Sequence, residues 1–143
     1  GTPTGQVTFT IDGTTTLTGT LTGGTATVTT SDLTAGDHTV VATYVGAGDP
    51  NFTSSTSTPL TQTVNQATTT TSVSSSPDPS VFGQPVLFTA TVAPVAPGAG
   101  TPTGTVTFTI DGDVVPVLLD ENSTATLTRA VLPAGTYSVT ADY

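Results

Sequence analysis

The 143-residue chain carries a single basic side chain, Arg129, against 10 acidic residues, for a net charge of −9 with its one histidine neutral. So little Lys and Arg cannot neutralise phosphates, which argues against nucleic acid and anionic membranes as partners. With no cysteine, disulfides and thiolate zinc sites are ruled out, and no apolar run is long enough to insert across a membrane as a helix.

Threonine supplies roughly a quarter of the residues. Its β-branched side chain suits a half-exposed pleated surface, so the composition favours strands over helices or disorder. Along the chain, Val7, Phe9 and Ile11 alternate with Thr8 and Thr10, the period of a half-buried antiparallel strand. Asp12-Gly13 follows, a dipeptide that supplies the positive φ angles of a tight hairpin, so a second strand is expected to run back along the first. Gly23-Gly24 reads as a turn before a strand over residues 25–29, with Ala26 and Val28 inward. Val40, Ala42 and Tyr44 mark another strand, and residues 60–64 another. Strands over residues 68–74 and 85–92 come next, the latter with Val86, Phe88, Ala90 and Val92 on one face.

From Gly100 the opening returns. GTPTGQVTFTIDG at the start reappears as GTPTGTVTFTIDG at an offset of 99 residues (100 − 1), and the match runs ungapped to Tyr44 and Tyr143. Val106, Phe108 and Ile110 repeat the first strand, Asp111-Gly112 the turn, Asn122-Ser123 the second turn, and Ala125 with Leu127 the inward face of a strand over residues 124–128. Val139, Ala141 and Tyr143 repeat the buried pattern of Val40, Ala42 and Tyr44.

Self-similarity at this period marks a tandem array, so the chain reads as an excerpt that cuts through a unit at each end. The expected domains are residues 1–66, the C-terminal part of one repeat, and residues 67–143, the N-terminal part of the next without its closing strand. A full unit then holds about seven short strands in roughly 100 residues, the pattern of an immunoglobulin-like sandwich. The expected fold class is all-β: immunoglobulin-like antiparallel β-sandwich repeats, both incomplete. Asn65, Gln66 and Ala67 form a short connection, which limits bending and suggests a semi-rigid array.

The shared GTPTG-x-VTFTIDG, the TATVT and TATLT strands, the L-x-A-G corner at residues 33–36 and 132–135, and HTVVATY followed by GDPNF and STSTPLTQTV resemble the bacterial Ig-like domain of group 3. The resemblance covers nearly the whole chain. It implies a spacer module of large secreted or cell-surface bacterial proteins, and therefore an extracellular or cell-surface location.

No residue is assigned a catalytic role and no cofactor is expected. His38 could in principle serve as a base or metal ligand, but its repeat partner is Tyr137, placed where immunoglobulin-like sandwiches carry a corner tyrosine whose hydroxyl bonds nearby backbone. His38 is therefore expected to fill the same corner. Carboxylates at Asp111, Asp113, Asp120 and Glu121, and at Asp12, Asp32, Asp37 and Asp49, could hydrolyse glycosides or bind calcium, yet only Asp12 and Asp111 are equivalent, and both read as turn residues. Asp49 and Asn51, flanking Pro50, are the weak calcium candidates.

Gly46-Ala47-Gly48 and Gly98-Ala99-Gly100 open no expected helix and read as loops rather than phosphate cradles. Asn51 and Asn122 each head an N-x-[ST] triplet, and the Thr- and Ser-rich stretch 69–76 before Pro77 and Pro79 has the composition of an O-glycosylated stalk. The absence of lysine excludes a lysine–asparagine isopeptide crosslink. Tyr44 and Tyr143 continue buried strands, while Phe52 and Phe82 are expected to plug sandwich ends rather than stack on sugars.

The reading is a structural repeat that spaces or builds a surface protein, stalk or fibre, with neighbouring repeats of the same or another chain as partners. Two alternatives remain: a filament subunit completed by a neighbour's strand, and an adhesin module binding glycans or surface proteins through loops at residues 45–53 or 94–101.

Overall fold

A computed structural model describes residues 1–46 and 49–143. They form two compact units, Gly1–Gln66 and Ala67–Tyr143. The described residues contain no helix; the chain is all-β, with antiparallel pairing throughout.

The second unit is a sandwich of two three-stranded sheets. One has the order β10 (Thr124–Arg129), β7 (Val86–Pro94), β6 (Thr69–Ser76); the other has the order β11 (Val139–Asp142), β8 (Thr105–Ile110), β9 (Asp113–Leu118). Alternation does the work: β7 turns Val86, Phe88, Ala90 and Val92 inward, β8 turns Val106, Phe108 and Ile110 to meet them, and Ala125 of β10 joins the same core. Phe108 and Val106 are fully buried. Pro116 lies in β9, which among the described residues pairs only with β8, so its missing N–H faces no ladder. The expected strands 68–74 and 85–92 correspond to β6 and β7, each running about two residues further.

The first unit builds one sheet among the described residues. β1 (Gln6–Ile11) pairs with β2 (Thr15–Thr20) on one side and β3 (Gly36–Tyr44) on the other, and β3 also pairs with β4 (Ser55–Thr56) and β5 (Leu60–Val64). The short β4 has too little pattern to be read from sequence.

The strand expected over residues 25–29 does not form. These residues enter only an isolated bridge, Thr22 to Thr25, whereas the matching TATLT of the second unit is strand β10, laddered to β7. A strand needs a partner for its backbone groups, and the first unit has no counterpart of β7 among its described residues. The alternation survives, with Ala26 and Val28 half-buried between exposed threonines. The same deficit thins the core: Ile11 is buried like Ile110, but Val7 and Phe9 are only half-buried where Val106 and Phe108 are fully enclosed.

The ungapped repeat conceals a register slip. In the second unit Ile110 pairs with Asp113, so Asp111 and Gly112 alone make the turn, both at positive φ (46° and 93°) as a two-residue hairpin requires. In the first unit Ile11 pairs with Thr15, and the turn takes in Thr14 as well. The following loop restores the offset: Leu21 donates its N–H to Gly5 O and Leu119 donates to Gly104 O, so these two leucines are 98 residues apart while the glycines are 99 apart.

Candidate functional site

The side chains shared by the two units gather where the β1–β2 or β8–β9 turn meets the start of β3 or β11. Asp12 sits at φ 50°, and its Oδ1 accepts the Thr39 N–H at 2.9 Å while its own N–H donates to Thr39 O at 2.9 Å. Asp111 repeats this, with Oδ1 accepting from Ser138 N–H at 2.7 Å and N–H donating to Ser138 O at 3.1 Å. Each aspartate thus clips a hairpin turn to a strand about 27 residues further on. Sequence reasoning saw only the Asp-Gly turn; the signal for the clip was that aspartate recurs in both units while the other carboxylates do not.

The corner residues occupy equivalent positions. Tyr137 donates its hydroxyl to Pro133 O at 2.7 Å, the corner tyrosine bond. His38 Nε2 lies 2.8 Å from Thr34 O, the residue equivalent to Pro133, so this nitrogen carries a proton and donates. His38 is buried, and its Nδ1 meets Asp12 Oδ2 at 2.7 Å. Two acceptors around one ring favour imidazolium, and the histidine pKa is raised, first by the Asp12 hydrogen bond and then by the Thr34 carbonyl. The Asp12 pKa is lowered, first by His38 and then by the Thr39 N–H. With both ring nitrogens engaged, His38 presents no free nitrogen to a substrate or metal.

Asp49 and Asn51, the calcium candidates, form a loop clasp. Asp49 Oδ1 accepts the Asn51 N–H at 3.1 Å, and Oδ2 accepts both the N–H and the hydroxyl of Thr4 at 3.2 Å each. These bonds, led by that from Asn51, lower the Asp49 pKa. Asn51 contributes its backbone, and among the described residues no group of three or more His, Cys, Asp or Glu side chains is placed to hold a metal. The clasp borders a shallow depression lined by Thr4, Asp49, Asn51 and Phe52. Ala47 and Gly48 of the Gly46-Ala47-Gly48 loop lie outside the described residues.

Four of the other carboxylates make separate structural bonds, and Glu121 lies exposed in the turn beside Asp120. Asp113 pairs with Arg129, Asp37 accepts the Thr63 hydroxyl at 2.6 Å, and Asp120 Oδ1 accepts the N–H groups of Asn122 and Thr124 at 2.9 Å. That turn is locked further by Ser123, at φ 56°, whose buried hydroxyl donates to Pro102 O at 2.8 Å. Asp32 stays local, accepting from the Ser31 hydroxyl. The loop Gly98-Ala99-Gly100 opens no helix; Gly98 closes a turn by donating to Val95 O.

The aromatic expectations need correction at two positions. Phe82 is 71% exposed, beside an exposed Val81, and plugs nothing, because the turn that Gln84 closes back to Val81 holds both outside the core. Tyr143 is 49% exposed rather than buried, since β11 pairs on one side only among the described residues, whereas β3 at Tyr44 is flanked by β1 and β4. Both tyrosines still make one shared bond: Tyr44 donates to Thr4 O at 3.0 Å and Tyr143 to Thr103 O at 2.8 Å. Burial, and then the Asp49 charge, raise the Tyr44 pKa.

Polar side chains that close the same turns and corners in both units, on a two-sheet sandwich in the second, define an immunoglobulin-like structural module. The family model of the bacterial Ig-like domain (group 3) matches twice, over residues 1–65 and 73–143. The chain belongs to this family, whose members are generally non-catalytic modules of surface or extracellular proteins. No curated protein and no solved structure matches it.

Proposed function

We propose that the chain is a spacer or stalk repeat of a bacterial extracellular or cell-surface protein, in which each copy provides length and a hydrated, acidic surface. The observation that carries this reading is what the two units share. Asp12 with Asp111, His38 with Tyr137, and Tyr44 with Tyr143 all bond to backbone, and the remaining shared positions are core residues, turn residues or strand threonines. Acid–base or metal chemistry preserved in a repeat would leave a shared ionisable side chain facing solvent without such a structural bond.

The partners on this reading are neighbouring repeats. Proteins carrying two, four and six copies at the 99-residue period provide the test, with contour length measured by small-angle scattering. A nine-residue strand such as β7 spans about 30 Å. Linear growth by roughly 30–40 Å per copy, allowing for loops at each end of the strands, supports a spacer. A compact particle whose size fails to grow linearly, or a specific saturable hit on a glycan array, refutes it.

A further inference from the structure

We infer that strand β2 of the first unit is a docking edge for β2 of a second copy of the chain, the two strands pairing antiparallel about a twofold axis at Thr18. The contact is lateral, between chains, and stands apart from the spacer reading, which concerns length along one chain.

Among the described residues, β2 is the outer strand of its sheet in a unit that includes residues 45–66, and its counterpart β9 is the outer strand in a unit that includes residues 67–99. Each unit supplies a segment that the other does not, and neither segment covers this edge. Its exposure therefore belongs to the architecture of the unit.

The ladder fixes which backbone groups face outward. Leu21 donates its N–H to Gly5 O, and Val7, Phe9 and Ile11 stand opposite Gly19, Leu17 and Thr15, so the odd-numbered residues of β2 bond to β1. The N–H and C=O of one residue point to the same side and alternate along a strand, which turns those of Thr16, Thr18 and Thr20 to the free edge. All three residues are exposed. Leu119 donates to Gly104 O in the same way, so the free edge of β9 belongs to Val114, Pro116 and Leu118.

The two edges differ in protection. Pro116 removes the middle donor of β9, and the Asp113–Arg129 ion pair puts charge at the start of that strand; both are devices that discourage edge-to-edge pairing. β2 has neither. Its sequence TTLTGT holds no proline and no charge, within a chain of net charge −9. An uncharged edge with its donors intact is a template for another strand.

A second β2 fits that template. With Thr18 opposite Thr18, Thr16 of each chain faces Thr20 of the other, and every free N–H and C=O of these residues meets a partner. The threonine side chains then stand side by side on one sheet surface, a favourable cross-strand pairing. The same register carries Asp12 toward Gly24 of the second copy and holds the two Asp12 side chains at opposite ends, so the carboxylates nearest in sequence to the strand do not meet.

The test is sedimentation equilibrium of the 143-residue chain from roughly 10 μM to 1 mM, with backbone amide exchange read at each concentration. The expected result is a reversible monomer–dimer equilibrium in which exchange at Thr16, Thr18 and Thr20 slows as the dimer fills. Thr18→Pro reproduces in β2 what Pro116 does in β9: it removes an outward donor from each copy, breaks no bond to β1, and weakens dimerisation roughly tenfold or more. Thr18→Asp and Thr18→Lys each set like charges opposite one another across the axis and weaken the homodimer, whereas mixing the two variant chains restores dimerisation through opposite charges. The charged pair decides the matter if Thr18→Pro unfolds the first unit. A chain that stays monomeric throughout overturns the inference, as does a dimer indifferent to Thr18→Pro or a mixture of the charged variants that fails to pair. Concentration-dependent protection confined to residues outside β2 overturns it too, by assigning the contact to another surface.

Discussion

Phe9 and Phe108 are the same residue of the same strand pattern in two different enclosures, and truncating each to alanine separates the effect of the second sheet from that of the sequence. Phe108 is fully buried between two sheets, with Phe88 and Ala90 in the core it joins. Its loss removes the transfer free energy of the ring and leaves a cavity that a sandwich closes poorly, about 3–5 kcal/mol. At about 4–8 °C per kcal/mol for a domain of this size, even the lower figure drops the melting temperature of the second unit by roughly 12 °C or more. Phe9 is half-buried and contacts one sheet, so truncation forfeits roughly half of the 1.5–3 kcal/mol that full burial contributes and encloses no cavity. Amide exchange read by mass spectrometry reports on β1 and β8 in the same molecule. Phe108→Ala accelerates the globally exchanging amides of β8 by roughly a hundredfold or more, and Phe9→Ala accelerates those of β1 by roughly tenfold or less. Equal penalties at the two sites would refute the argument, because they would mean that the first unit encloses its face as fully as the second.

His38→Tyr keeps the corner bond to Thr34 and is expected to leave the melting temperature of the first unit near its neutral-pH value, whereas His38→Ala lowers it. The pH profile differs between parent and variant. The raised His38 pKa gives stability that is complete below the ordinary histidine value and lost as pH climbs through the folded value. The lowered Asp12 pKa gives stability present above the ordinary carboxylate value and lost as pH falls through its folded value. Denaturation across pH should therefore show a plateau between these two limits in the parent, with the upper limit absent in His38→Tyr; an unchanged upper limit argues against the ion pair. Tyr137→Phe deletes the 2.7 Å bond to Pro133 O and is expected to cost the second unit about 1 kcal/mol in chemical denaturation, with no effect on the first. Excess chelator is expected to leave both melting transitions unmoved, since Asp49 spends its oxygens on Thr4 and Asn51; a downward shift of the first would restore calcium at that loop.

The candidate site was legible in part. The substitution of Tyr137 for His38 identified the corner, because a position filled by either ring in a repeat is a packing and hydrogen-bonding position. The Asp12 and Asp111 clips were half legible: Asp-Gly names a turn, but the acceptor role toward Thr39 and Ser138 depends on a strand that returns to the turn 27 residues later. The Asp49 clasp was not legible, since Thr4 lies 45 residues away and nothing local marks it.

Period-two alternation and turn dipeptides by themselves determined the all-β class, the position of most strands and the inward residues Val106, Phe108 and Ile110, because side-chain direction along a strand is a local property. The tertiary structure decided which of those patterns became strands and which inward residues were buried. TATVT and TATLT differ by one residue, yet only the second is laddered, because a strand's hydrogen bonds are made with a neighbour: β7 stands beside residues 124–129, and no described strand stands beside residues 25–29. Likewise, the one-residue slip between the Asp12-Gly13 and Asp111-Gly112 hairpins is invisible in an ungapped alignment, since pairing register belongs to two strands and the turn between them rather than to either sequence.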